Sequence, residues 1–250
     1  MSKLFINYIE SFKGLSKEIW YLSLITLINR AGTMVIPFLS LYLTKNLSFS
    51  KTDAGWILVF FGIGSLIGSW LGGRLTDKIG FYKVMVLSLF TTGIGFIGLQ
   101  YLTSFWGLCF GILFIMIVAD TFRPALFVSL KTYSKPENQT RSLALIRLAI
   151  NLGMGVGPTL AGLIIVIKGY SILFWIDGIT CIIAIIIFYI LVKEAKQKNS
   201  IEKEANTLKT KNVIYQDVSY WIFIAICFLM GMTFFQLLIT MPLYYEEQFI

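Results

Sequence analysis

The stretch "GGRLTDKIGFYK", residues 72–83, decides how the chain is to be read. One long apolar run, 53–75, enters it and another, 81–101, leaves it. Between them lie Arg74, Asp77, Lys78 and Lys83, with glycines at 72, 73 and 80. Glycines let two helices turn tightly and approach closely, and lysines suit the headgroup level of a membrane. The stretch therefore reads as a tight basic turn between two membrane-spanning helices. Asp77 is expected just before a helix start, where free backbone N–H groups hold a carboxylate.

Composition agrees. Of 250 residues, 57% are hydrophobic and 14% charged, with a mean hydropathy of +0.79. Soluble domains run at about 45–50% apolar and about 25% charged. An all-α integral membrane protein in a lipid bilayer follows. The chain has no histidine, which excludes histidine metal sites and histidine proton relays. Cys109, Cys181 and Cys227 all fall in apolar runs and read as small buried hydrophobes. No metal cluster, paired catalytic acids or nucleophile with a base is apparent, so neither an enzyme nor a cofactor is expected. The N-terminus lacks the pattern of a cleavable signal.

A spanning helix needs about 20 mostly apolar residues. Seven runs meet this, at 19–43, 53–75, 81–101, 105–130, 141–167, 171–192 and 219–245. They divide the chain into an N-terminal segment 1–18, six spans over 19–192, a charged linker 193–218 and a further span within 219–250. The N-terminal segment mixes apolar residues with lysines, as either an interfacial helix or a loose tail would. With the N-terminus in the cytoplasm, fifteen of the 21 Lys and Arg residues lie inside; only Lys45, Lys51 and Lys168 lie outside. That asymmetry sets the topology. It also accounts for the net charge of +8 without a nucleic-acid partner.

Two motifs carry a resemblance. Gly73, Asp77, Lys78, Gly80 and Lys83 resemble the loop signature G-x-x-x-D-[RK]-x-G-[RK]-[RK]-[RK] of the major facilitator superfamily, departing from it at Phe81 and Tyr82. In span five, "NLGMGVGPTLAG", residues 151–162, places Gly153, Gly157, Pro158 and Gly162 as in the family's G-x-x-x-G-P-x-x-x-G signature. The resemblance covers the whole chain. It implies a six-helix half-bundle plus a seventh transmembrane helix, incomplete relative to the family's twelve spans, which form two halves with nested three-span repeats. It further implies a secondary transporter moving a small organic solute by alternating access, importer or exporter, in a plasma membrane such as the bacterial inner membrane. The 72–83 loop would then brace a cytoplasmic gate. Taken without the resemblance, the same residues make a basic turn that sets topology, and Gly153 and Gly157 make an ordinary small-residue packing face. In span two, Gly64, Gly68 and Gly72 recur every four residues, beside Ser65, Ser69 and Gly73. That stripe suits a sliding helix and static packing equally.

Five ionisable residues fall inside spans: Arg30, Asp120, Arg123, Arg147 and Asp177. An arginine at helix centre costs about 2.5–3.5 kcal/mol on insertion scales, so each must face protein or a wet cavity. Asp120 and Arg123, three apart, share a face and suit either a local ion pair or cavity chemistry. Arg147 shares a face with Asn151, away from Gly153 and Gly157. In the resembled family spans one, four, five and seven line a central cavity, which implies that Arg30, Asp120, Arg123, Arg147, Asn151 and Gln236 converge there. Asp177, in the outer third of span six, is expected at a gate contact or in solvent. Three arginines against two aspartates favour a substrate with a carboxylate or phosphate. The stretches "NRAGT" (29–33), "ADTFRPA" (119–125) and "SLALIRLAINLG" (142–153) resemble the proton-coupled drug and peptide branches. Thr26 and Asn29 stand where the peptide branch carries acids, which leaves Asp120 as the proton carrier. Two alternatives remain: a non-transporting membrane fragment, and a seven-span receptor-like protein, against which the internal N-terminus argues.

Overall fold

The computed structural model describes residues 12–195 and 217–249, and no strand occurs among them. The remainder of the N-terminal segment and most of the 193–218 linker lie outside the described residues. The first expected span is two helices, α1 (Lys17–Ala31) and α2 (Val35–Leu41), the second running on into a π-helical turn, Tyr42–Asn46. The others are α3 (Lys51–Ile79), α4 (Phe81–Leu99), α5 (Phe105–Tyr133), α6 (Gln139–Lys168), α7 (Ser171–Leu191) and α8 (Val218–Phe249). Six spans, from Lys17–Asn46 to Ser171–Leu191, are long and apolar enough to cross a membrane; α8 contributes a shorter apolar stretch, Val218–Phe234. Every end falls within about one helical turn of the apolar run that foretold it.

Local chemistry sets these ends. Ser50 accepts the Asp53 backbone N–H at 3.1 Å and donates its hydroxyl to the Asp53 carboxylate at 2.7 Å, which starts α3. Ser104 accepts the Gly107 N–H at 3.2 Å and starts α5. Gly80 alone joins α3 to α4 with φ 87°, a conformation other residues rarely adopt. The 72–83 stretch is thus a one-residue joint, and Asp77 is not at a helix start. It lies in the last turn of α3, exposed, and no side chain caps the N-terminus of α4. The reason is that α3 runs four residues past the apolar run, and Gly80 turns the chain at once.

The break in span one has a cause in the sequence. A proline ring clashes with the carbonyl four residues back and supplies no N–H; for Pro37 that residue is Thr33. Gly32 and Thr33 accordingly leave the helix, held by short bonds such as Met34 N–H to Gly32 O at 2.8 Å.

Two apolar cores stack along the bundle. One gathers Tyr42, Leu43, Ile57, Leu99, Leu108 and Leu173. The other gathers Ile19, Phe81, Met85, Leu130, Ile146 and Phe188. The second core's end is tied by Ser16 Oγ donating to Tyr133 O at 2.8 Å, Asn138 Nδ2 donating to Gly14 O at 3.1 Å, and the Phe81–Tyr133 ring pair at 5.6 Å. It carries the 72–83 joint, Lys17, Lys131 and Lys135. The opposite end, with Lys51 and Lys168, is tied by Tyr42 on Phe174 (4.9 Å) and Phe49 on Phe105 (6.3 Å). The charge asymmetry of the sequence is therefore an asymmetry between two ends of one bundle.

Glycine seams bring helices together. The most extensive helix contact is α3 on α5. A Cβ at Gly64, Gly68 or Gly72 would stand 2.4–2.6 Å from backbone atoms of Leu113, Ile117 or Thr121. A second seam sets α6 against the end of α1: a Cβ at Gly153 would lie 2.6 Å from Arg30 Cβ, and one at Gly157 2.8 Å from Ala31 O. The helix α8 lies against α2 with most of its described side chains exposed, Cys227 among them; Cys109 and Cys181 are buried. Cys227 departs from the expected burial because α8 has so few neighbours.

Candidate functional site

Between the two apolar cores lies a polar layer. Asn29 and Arg30 of α1, Ser88 and Thr92 of α4, Asp120 of α5 and Asp177 of α7 line a cavity of about 60 Å³. The Asp120 carboxylate accepts a hydrogen bond from the Ser65 hydroxyl of α3. The partner of Asp120 is thus on a neighbouring helix, while Arg123, three residues on, is exposed on α5. Asn29 Nδ2 donates to Cys181 Sγ at 3.3 Å, and Thr33 Oγ1 donates to Asn29 O at 3.0 Å.

Several polar atoms here are buried with no partner among the described residues: Arg30 Nε, Thr92 Oγ1 and, close by, Thr26 Oγ1. At membrane depth each unsatisfied group costs several kcal/mol. The cavity is polar and, at about 60 Å³, holds roughly four waters. It is far smaller than the ~300 Å³ at which solute pockets begin. The layer is therefore of a size for water.

Of the residues expected to converge, the structure brings Arg30 and Asp120 into one cavity. Arg147 and Asn151 are exposed on α6, Arg123 on α5 and Gln236 on α8, all outside it. The cavity wall holds one arginine and two aspartates, and Arg123 and Arg147 are exposed outside it. In the loop motif, Gly73 faces open space and Gly72 makes the helix contact. Asp77, Lys78 and Lys83 are exposed, and the Arg74 guanidinium stacks 3.9 Å over Trp70. In the second motif Gly153 and Gly157 pack as a seam behind Arg30, and Pro158 sits within a continuous α6.

Asp177, expected at a gate contact or in solvent, is not in solvent. It is 2% exposed and accepts backbone N–H bonds from Met34 at 2.8 Å and Val35 at 3.1 Å. The carboxylate caps the second half of the broken span. A signal existed in principle: Pro37 frees donors at mid-span, and a carboxylate elsewhere at that depth is their natural partner.

Comparison with known proteins accords with this architecture. The sequence profile of the Major Facilitator Superfamily matches residues 22–249. The chain is 27% identical over 161 residues to the MFS-type transporter YqjV of Bacillus subtilis, covering 60% of this chain and 37% of the relative. It is 26% identical over 200 residues to the cis,cis-muconate transport protein of Acinetobacter baylyi, covering 76% and 48%. A crystal structure of a POT peptide transporter in complex with sulfate superposes with a TM-score of 0.67 at 16% identity, over 93% of this chain and 50% of that one. The chain spans about half the length, or less, of these relatives. With a matched profile over nearly its whole length, six apolar spans and a polar layer at mid-depth, the chain belongs to the Major Facilitator Superfamily.

Proposed function

We propose that the chain forms the N-terminal half and seventh span of a secondary active transporter. It carries a small organic solute by alternating access, coupled to protons, in a bacterial inner membrane. The N-terminus is cytoplasmic, since the lysine-rich end of the bundle is the one retained inside. The observation that carries the reading is the water-sized polar layer holding Arg30 and Asp120 between two dry cores. Protons can occupy that layer. Asp120, hydrogen-bonded to Ser65 across a helix contact, takes the proton role. Solute contacts then fall to polar groups on exposed faces: Arg123, Arg147, Asn151 and Gln236. Two arginines there favour an anionic group on the solute, and the muconate transporter among the relatives carries such a solute. The exposed Asp77, Lys78 and Lys83 at the joint, with half-buried Gly73 beside them and Gly80 turning it, fit a surface that braces against a partner body at the cytoplasmic face. No catalytic step is assigned to any residue.

The test uses the protein as its gene encodes it, reconstituted in liposomes with an inward or outward proton gradient. Asp120→Asn is expected to abolish gradient-driven accumulation of cis,cis-muconate or another dicarboxylate found to be a substrate, and to spare counterflow exchange. Gradient-driven accumulation by Asp120→Asn at the wild-type level would remove the proton role from the layer.

A further inference from the structure

We infer that Asp177 is a positioning residue: from span six it clasps the broken first span and so fixes where Arg30 stands. This role rests on the reading of the mid-depth layer as the proton site. Three contacts along one face of α7 hold the break. Asp177 accepts the N–H groups of Met34 and Val35. Thr180, three residues on, abuts Gly32 so closely that a Cβ there would stand 1.8 Å from Thr180 Oγ1. Cys181, four residues on, receives Asn29 Nδ2 at 3.3 Å. Spacings of three and four put these groups on one helical face.

The clasp reaches Arg30 through the backbone. Arg30 is in the last turn of α1, and its carbonyl accepts the Thr33 N–H at 3.2 Å as the chain leaves the helix. On its other side the Gly153 seam leaves no room for a Cβ. Arg30 is thus held between a glycine edge of α6 and the break docked on α7. In hydrocarbon the freed donors of a broken helix must be satisfied internally. A carboxylate meets both with charge-assisted bonds at the positive end of the following helix. Asparagine at 177 offers one acceptor and turns an N–H toward the second donor, so it keeps the shape and loses half the clasp.

Two readouts need no transport activity. Protein of residues 1–250 in nanodiscs, labelled with 15N-arginine, gives one side-chain Nε signal for each of its five arginines, and Arg30→Lys identifies that of Arg30. In Asp177→Asn the Arg30 signal is expected to move while those of Arg74, Arg123, Arg141 and Arg147 stay. Amide exchange at Val35, whose N–H Asp177 accepts, should quicken about tenfold or more, as the loss of a charge-assisted bond implies. Unchanged exchange would mean that the cap is absent; quickened exchange with an unmoved Arg30 signal would mean that the clasp is structural only. Either result overturns the inference. If Asp177→Asn does not fold, Gly32→Ala tests the same joint. It should move the Arg30 signal, and Thr180→Gly added to it should restore the signal; failure of both overturns the inference. In transport by the protein as its gene encodes it, Asp177→Asn and Arg30→Lys should each lower gradient-driven uptake severalfold, and the double variant should be no worse than the more impaired single. Multiplying losses would mean that Asp177 acts independently of Arg30. Absence of transport in the wild type, with the Arg30 signal behaving as expected, would count against the transport reading and leave the clasp standing.

Discussion

The α3–α5 seam supports a quantitative test. In Gly68→Ala the new Cβ would meet the Ile117 carbonyl oxygen at 2.4 Å and the Met116 carbonyl oxygen at 2.9 Å. Both are backbone atoms of α5 and cannot swing aside as a side-chain tip would. The helices must part by about half an ångström to an ångström to reach ordinary contact distances. Overpacking of this kind costs about 2–3 kcal/mol toward its upper range. Alanine recovers about 1 kcal/mol of helix propensity over glycine. The net loss is about 1–2 kcal/mol, which for a chain of this size lowers the melting midpoint by roughly 2–8 °C. The control is Gly73→Ala, five residues on in the same helix, where a Cβ meets nothing within 4 Å. It should hold or raise the midpoint by about 2–4 °C, the propensity term alone. Thermal unfolding of both variants in one detergent, followed by tryptophan fluorescence or by aggregation of the heated sample, measures the contrast. Equal midpoints for Gly68→Ala and Gly73→Ala would refute the claim that α3 meets α5 along its glycine edge.

Four other outcomes can be measured. Single cysteines replacing Lys78 and Lys135, in a background lacking Cys109, Cys181 and Cys227, should react with an impermeant maleimide only from the cytoplasm, and one replacing Lys51 only from outside; external labelling at 78 reverses the topology. Gly153→Val should disturb the α1–α6 seam and lower the melting midpoint more than Gly155→Val, since a Cβ at 155 meets nothing within 4 Å. Ser65→Ala removes the hydroxyl that donates to Asp120 and should lower gradient-driven uptake severalfold, while Ser69→Ala should not. Arg123→Lys should lower uptake of an anionic solute severalfold despite the kept charge, because lysine lacks the planar fork; wild-type uptake would show that Arg123 touches no substrate.

The spans were legible because length and hydropathy are nearly the whole physics of crossing a bilayer. Each helix end tracked a charge, a glycine or a capping serine that lies within the same few residues. The polar layer was half legible. Arg30 and Asp120 stand out as charges inside apolar runs, where membrane insertion makes them costly unless they are used. Whether they meet depends on the rotation of α1 against α5 about their axes, which no local pattern fixes. Arg123 and Arg147 show the limit: their spacing gives the right neighbours on their own helices, and both are exposed, outside the small cavity that Arg30 and Asp120 line. Asp177 was lost for a different reason. Its partners are backbone amides 142 and 143 residues away, and amides carry no side-chain signature. Only the proline at 37, read for what it does to residue 33, pointed at them.

The seams also decide between the two roles open to the glycine stripe of span two. A helix that slides needs a smooth partner at every intermediate register. Here Gly64, Gly68 and Gly72 each sit on backbone of α5, and the intervening positions carry Ser65, Leu66, Ile67, Ser69, Trp70 and Leu71. An axial shift of one residue, about 1.5 Å, begins to turn those side chains onto carbonyls that leave no room even for a methyl group. The next register that fits is a full glycine repeat away, about 6 Å. The seam therefore locks α3 on α5 in one position, and the same reasoning locks α6 on the end of α1 through Gly153 and Gly157. The interrupted stretch Gly32–Met34, where no regular helical ladder spans the gap, is held instead by Asp177 and Thr180 of α7. Arg30 therefore stands between a glycine seam that fixes α6 and a break whose position rests on side chains of α7.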